Sequence, residues 1–198
     1  MLKKAKKQME QLNMASYVGF QQGDAANLPF SSDYFDSCRS ERLFMHLPRP
    51  ERVLSEMHRV TKPGGKVVVV DTDWTSLSID CELIETEQTL SNYRNRQVLT
   101  NGFAARSLYR LFNTLSFENI TIDIFPIFVT DMNLFYMLSM QDTVETQAVK
   151  EGVISQKKLD AWRKNLTHKM ETKAFFACVN IVMLSAKKMK SNKNVQVF

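Results

Sequence analysis

The carboxylates Asp24, Glu41, Asp71 and Asp73 each close a short run that reads as a β-strand, in "FQQGDA", "FDSCRSE" and "VVVVDTDW". In an open parallel sheet, ligands sit beyond the carboxyl ends of the strands. That rule selects Asp24 and Ala25, then Ser40, Glu41 and Arg42, then Asp71, Asp73 and Trp74. Asp24 is acceptor-only and stands beside backbone N–H donors, the combination that reads an adenine edge; an aspartate there also serves as a turn cap. Asp73 and His46 are the groups placed for proton transfer, against a bracing role for Asp73 and a packed role for His46. Trp74 offers a face for stacking or a plain core residue. Arg94, Arg96 and Arg106 suit an acidic substrate, or a solvated helix face.

These residues need a scaffold. Leu2, Ala5, Met9 and Leu12 recur at helical spacing, so an amphipathic helix over 2–12 is predicted to lie on a core. "SYVGFQQ" reads as a strand ending near Gly23, and "FDSCRSE" as the next. Val53, Leu54, Met57 and Val60 share one helical face in "PERVLSEMHRV", with Pro50 suited to the first turn and "KPGG" to the exit. The following run of four valines predicts a strand buried on both faces. Strand, helix, strand at this spacing argues for a parallel sheet with crossover helices, an α/β fold. Further helices are predicted at roughly 80–93, 103–115, 132–149 and 156–170, a half-buried extended segment at "NITIDIFPIFVT" and a last strand over 174–187.

Composition bounds the reading. The 198 residues, 44% apolar and 24% charged, suit one core. The expected organisation is a single domain over 1–187, with 77–170 including a substrate cover, and a flexible basic tail over 188–198. The net charge of +5 comes from lysines near the two ends, leaving a mildly acidic body, so no nucleic-acid surface is expected. Cys38, Cys81 and Cys178 fit neither a disulfide framework nor a zinc site, so no metal is expected. The longest apolar run, 174–186, is shorter than the ~20 residues of a membrane span, and the chain reads as cytoplasmic.

The stretch "GDAANLPFSSDYFDSCRSERLFMHLPRPERVLSEMHRVTKPGGKVVVVDTDW" resembles the middle of a class I S-adenosylmethionine-dependent methyltransferase of the type 11 group, the branch that includes ubiquinone and menaquinone biosynthesis enzymes. The resemblance rests on the "GDA..LPF" loop, "FD" opening a strand, "HLPRPERVLSEMHRV" before "KPGG", and a valine strand ending in an acid. It implies a Rossmann-like sheet, mostly parallel with an antiparallel last strand, and a helical cover. Asp24 and Ala25 would hold the adenine of S-adenosylmethionine, Glu41 would line its methionine end, and Asp71, Asp73 and Trp74 would reach the rim where methyl donor and acceptor meet. Beside the resemblance, Trp74 and Arg106 are candidates for the substrate pocket, and the aromatic and methionine-rich segment over 125–162 suits a small, partly apolar acceptor. The family's glycine-rich loop and ribose-binding acid have no counterpart here: no glycine pair forms G-x-G. The resemblance therefore implies a chain missing the first two strands, with weak or absent cofactor binding. It also implies an open sheet edge suited to self-association or a complementing chain. A non-catalytic remnant acting as a binding partner is the alternative.

Overall fold

The computed structural model describes residues 2–190. Four strands, β1 (Phe35–Glu41), β2 (Thr61–Ile79), β3 (Phe117–Val129) and β4 (Ala177–Lys188), form one sheet in the order β1-β2-β4-β3. β1 and β2 are parallel, and β4 runs antiparallel to both of its neighbours. Three strands therefore share a direction and the last opposes them, the mixed α/β sheet that the sequence implied. The helices are α1 (Leu2–Gln11), α2 (Pro50–Val60), α3 (Ile84–Tyr93), α4 (Ala104–Asn113), α5 (Met132–Ser139), α6 (Gln141–Lys150) and α7 (Gln156–Glu171). A 3-10 turn spans Phe44–His46 and a π-helical turn Arg94–Val98.

Two apolar clusters sit at opposite ends of β2. The first packs Val53, Leu54 and Met57 of α2 and Leu108 and Phe112 of α4 on Val67, Val69 and Leu184 of the sheet. Each such side chain contributes about 1.5–3 kcal/mol on full burial. The second gathers Trp74, Leu90, Phe135, Val144, Leu159, Trp162 and Leu166 from α3, α5, α6 and α7. Within β2, close approach to β1 depends on Gly65, where a Cβ would lie 2.6 Å from the Asp36 carbonyl oxygen. Lys188 joins β4 to the end of α2: its Nζ donates to the carbonyls of His58 and Thr61, each at 2.9 Å, and to Asp33 Oδ1 at 2.7 Å. A cation is favoured at that helix end.

Several expectations change. "SYVGFQQ" forms turns and irregular chain, with only an isolated bridge between Asp24 and Asn27 following it. A strand needs a ladder for its backbone groups, and none is offered to it among the described residues. For the same reason α1 finds no sheet surface beneath it and buries no residue. Val67 and Val69 are fully buried, whereas Val68 and Val70 are only partly so, because α2 and α4 cover one face of the strand. β3 was expected to bury one face; Ile122, Ile124, Phe125 and Phe128 are all exposed, since it is an edge strand without a covering helix along most of its length. Pro126, which lacks a donor, suits that edge. Lys188 belongs to β4, one residue into the segment expected as a tail, and residues 191–198 of that segment lie outside the described residues.

Candidate functional site

A groove of about 560 Å³ runs along β1, lined by Ala25 and Leu28 of the preceding loop, Ser37 to Glu41 of the strand, Leu43, and Val53 and Met57 of α2. The loop that enters it is tied to α2. Glu56 Oε2 accepts from the Leu28 amide at 2.7 Å, and Arg59 donates to the carbonyls of Phe30 and Leu28 at 2.7 and 3.0 Å. Arg59 also pairs with Glu56 at 2.7 Å, and its hydrogen bond holds the Glu56 carboxyl below the usual range. The clamp fixes Asp24 and Ala25 beside the groove. Asp24 Oδ1 accepts from the Ala26 amide at 2.9 Å, so the turn-capping role is realised; its other oxygen has no hydrogen bond among the described residues. Glu41 is exposed and pairs with Arg39.

Ser40 is the least satisfied group in this groove. It is 8% exposed and its Oγ is buried without a hydrogen-bond partner. A buried polar atom in that state costs free energy unless something supplies the partner.

Beyond β1, Asp71 is fully buried. Its Oδ1 accepts from Thr72 N at 2.8 Å and its Oδ2 from Met45 N at 3.2 Å, which ties down the 3-10 turn. Burial pushes the Asp71 carboxyl up, against the opposing effect of these amides. The turn ends on His46, whose side chain is exposed, so the packed reading of His46 gives way to a surface one. The β1–β2 register sets Glu41 across from Val70, three residues short of Asp73.

Asp73 and Arg106 come together: Arg106 Nε lies 3.1 and 3.0 Å from the two carboxylate oxygens. Thr75 donates to Asp73 Oδ1 from both its amide and its hydroxyl. Asp73 is thus a filled acceptor, a brace more than a free base. Trp74 is 2% exposed within the second cluster, its Nε1 directed at Met45 Sδ at 3.1 Å, and it does not line the groove. The structure unites Ala25 and Glu41 in one place, Asp73 and Arg106 in another, and His46 stands on the turn between the strands.

Sequence reasoning missed the Glu56–Arg59 clamp, although the i,i+3 spacing of an acid and a base on one helix was visible. It also treated Arg94 like Arg96 and Arg106. Arg94 is 1% exposed, while the other two are exposed. The signal was the continuation of the buried helical face through Thr86, Leu90 and Tyr93.

Among the described residues no group of three metal-ligating side chains forms, and no helix is long and apolar enough to cross a membrane. A methyltransferase-domain family matches residues 1–69. Over 187 residues, 94% of this chain and 52% of the relative, the sequence is 28% identical to an uncharacterized 37.1 kDa protein in transposon TN4556 of Streptomyces fradiae. Over 71 residues, 36% of this chain, it is 42% identical to a demethylmenaquinone methyltransferase of Desulfitobacterium hafniense, of which it covers 28%. The chain thus spans about half the first relative's length and less of the second's. The fold is similar to that of a presumed methyltransferase from Bacillus halodurans, with a TM-score of 0.52, 16% identity, and 88% of this chain and 79% of that one covered. Over its first third this chain is thus similar to a methyltransferase domain, and its fold is similar to that of a class I methyltransferase.

Proposed function

We propose that the β1 groove is part of an S-adenosylmethionine site and that the chain serves methyl transfer to a small, partly apolar molecule. The orphaned Ser40 Oγ carries this reading: a groove of about 560 Å³ between the Asp24–Ala25 loop and Glu41 holds a buried hydroxyl awaiting a partner. The residues present fit part of the cofactor. Asp24 would accept from the adenine amine with its free oxygen, Ala25 and Leu28 would flank the ring, and Glu41 would take the methionine ammonium. When bound, the cofactor supplies a methyl group already activated by its positively charged sulfur. The chain's own task is to position the partners and exclude water. Asp73, held by Arg106 and Thr75, braces the wall on the acceptor side. His46, exposed at the end of a turn tethered to Asp71, is the group free to take a proton if the acceptor must lose one.

The affinity of this chain should be weak. No glycine loop brings backbone close to the cofactor and no acid fixes its ribose, and charge-assisted hydrogen bonds contribute about 1.5–3 kcal/mol each. Titration with S-adenosylhomocysteine, followed by amide NMR, should shift Ala25–Leu28 and Ser40–Leu43 with a Kd of roughly 0.1–1 mM. No change at those amides up to several millimolar overturns the assignment.

A second reading has its own observation. The outer edge of β1 has no strand beside it among the described residues, and such an edge is a template for another chain. In this reading the chain is a non-catalytic partner that accepts a strand. Light scattering that finds only monomer, together with cofactor shifts in the groove, decides against it.

A further inference from the structure

Arg94 is a cation in the second core, at the first residue of the π-helical turn Arg94–Val98. Its Nε donates to the Ser139 carbonyl at 3.2 Å and its Nη2 to Gln141 Oε1, while its guanidinium carbon lies 5.8 Å from the centre of the Trp74 ring. Its Nη1 is buried without any partner. No carboxylate among the described residues reaches salt-bridge distance of it. The contrast with its neighbour is direct: Glu145, also fully buried, is paired with Arg163 at 2.7 Å and receives Tyr136, Gln141 and Trp162 as well. The core pairs its buried anion directly, whereas Glu87 and Glu145 act on its buried cation only beyond salt-bridge distance. A buried charge without a directly paired counter-ion is costly. Desolvation lowers the Arg94 pKa to about 10, which leaves it cationic at neutral pH, with Glu87 and Glu145 acting the other way.

Three features bear on whether the site can admit a ligand. Met140, between the residues that grip Arg94, has a left-handed φ of 54°, a conformation that a non-glycine residue adopts at a cost. It is the joint between α5 and α6. π-helical turns concentrate at functional sites, and this one is packed so closely on Gly102 that a Cβ there would lie 2.6 Å from Asn95 Cα. A cavity of about 30 Å³, lined by Trp74, Phe135 and Ser139 among others but not by Arg94 itself, lies against two of the groups that touch Arg94.

We propose that Arg94 is an anion receptor, and that the methyl acceptor carries an anionic oxygen group that docks on Nη1 beside Trp74. The identity of the ligand as acceptor rests on the methyl-transfer reading; the anion site does not. The guanidinium fork favours a carboxylate or a phosphate over chloride.

The test is thermal unfolding of the whole chain in acetate, in inorganic phosphate, and in sodium chloride of matched ionic strength. One arm or both should raise Tm by roughly 2–6 °C at 50 mM over chloride, as expected for millimolar affinity; the arm that does so identifies carboxylate or phosphate. The same shift should appear in Arg96→Met, an exposed neighbour, and vanish in Arg94→Met. Should Arg94→Met fail to fold, Arg94→Lys keeps the charge without the fork, and its shift should be less than half that of the parent. A parent Tm that does not distinguish the anions from chloride means a water at Nη1 only and overturns the proposal, as does an equal shift in either Arg94 variant. Titration with S-adenosylhomocysteine separates this from the methyl-transfer reading. Groove shifts without an anion effect sink the receptor alone, and an anion effect without groove shifts sinks the cofactor site alone.

Discussion

The groove and the helical cover handle their acids in opposite ways. At the β1 groove the acids Asp24 and Glu41 are exposed, and the one buried polar atom, Ser40 Oγ, is unpaired. Under the helical cover, a fully buried carboxylate, Glu145, gathers donors from Tyr136, Gln141, Trp162 and Arg163. The first region leaves its acids to solvent and its one buried hydroxyl open; the second satisfies its buried acid fully, yet leaves Arg94 Nη1, Tyr93 Oη and Asn95 Oδ1 unpaired among the described residues. Glu145 should therefore matter to stability and Ser40 to cofactor binding, and substitutions can separate the two.

The largest effect is expected at Glu145. Glu145→Ala leaves Arg163 and three neutral donors without their acceptor, and removing one member of a buried charged network typically costs about 3–5 kcal/mol. Urea unfolding should show the loss as a lowered midpoint with little change in slope, while the groove amides keep their chemical shifts. A loss below about 1 kcal/mol would mean that the cover network is not what holds α6 and α7 in place.

Two carboxylates near the groove should respond to pH with opposite sign. Asp71 has a raised pKa in the fold, so above its ordinary value of 3.8 the unfolded chain loses its proton first, and this group's contribution falls as pH rises through that window. Glu56 has a lowered pKa, so its contribution is present above its ordinary value of 4.5 and is lost as pH falls through the folded value. Asp71→Asn should flatten the decline on the rising side, and Glu56→Gln should flatten the loss on the acid side. Unfolding free energies measured from pH 3 to 7 check both slopes.

How much of this was written in the sequence depends on whether a residue's partner is local. β1, α2, the glycine exit and β2 were legible because periodicity and turn chemistry act over a few residues. The false strand at "SYVGFQQ" has a strand's composition, but its realisation depends on a neighbour supplied from elsewhere. The half-covered valines and the exposed β3 failed likewise: a sequence shows that a face is apolar and does not show what lies over it. At the candidate site, the strand-end rule selected Asp24, Ala25, Glu41, Asp73 and Trp74, and the geometry divides them, with Trp74 in the core and Asp73 paired with Arg106. Arg94 was hidden because its surroundings come from α5 and α6, some 45 residues away in sequence.

A smaller effect belongs to the clamp. Arg59→Met removes the donors to Leu28 and Phe30 and the partner of Glu56, yet leaves α2's apolar face untouched. Amide hydrogen exchange at Leu28 should speed up by about tenfold, the expected cost of losing a few partly solvated charged hydrogen bonds, with the β2 amides unchanged. Equal acceleration in both segments would show that Arg59 supports the whole fold and has no particular hold on the loop.

The smallest stability effect, and the sharpest contrast with Glu145, is expected at Ser40. Its hydroxyl is already desolvated and unpartnered, so Ser40→Ala deletes a cost along with the atom and should change unfolding free energy by less than about 1 kcal/mol, in the stabilising direction if at all. The same substitution should weaken S-adenosylhomocysteine binding by roughly three- to tenfold, the usual span of one neutral hydrogen bond. Paired unfolding and titration measurements on this one variant bear on the division between the two regions. A destabilised Ser40→Ala with unchanged binding would make the hydroxyl a structural group and empty the groove of its best reason to hold a ligand.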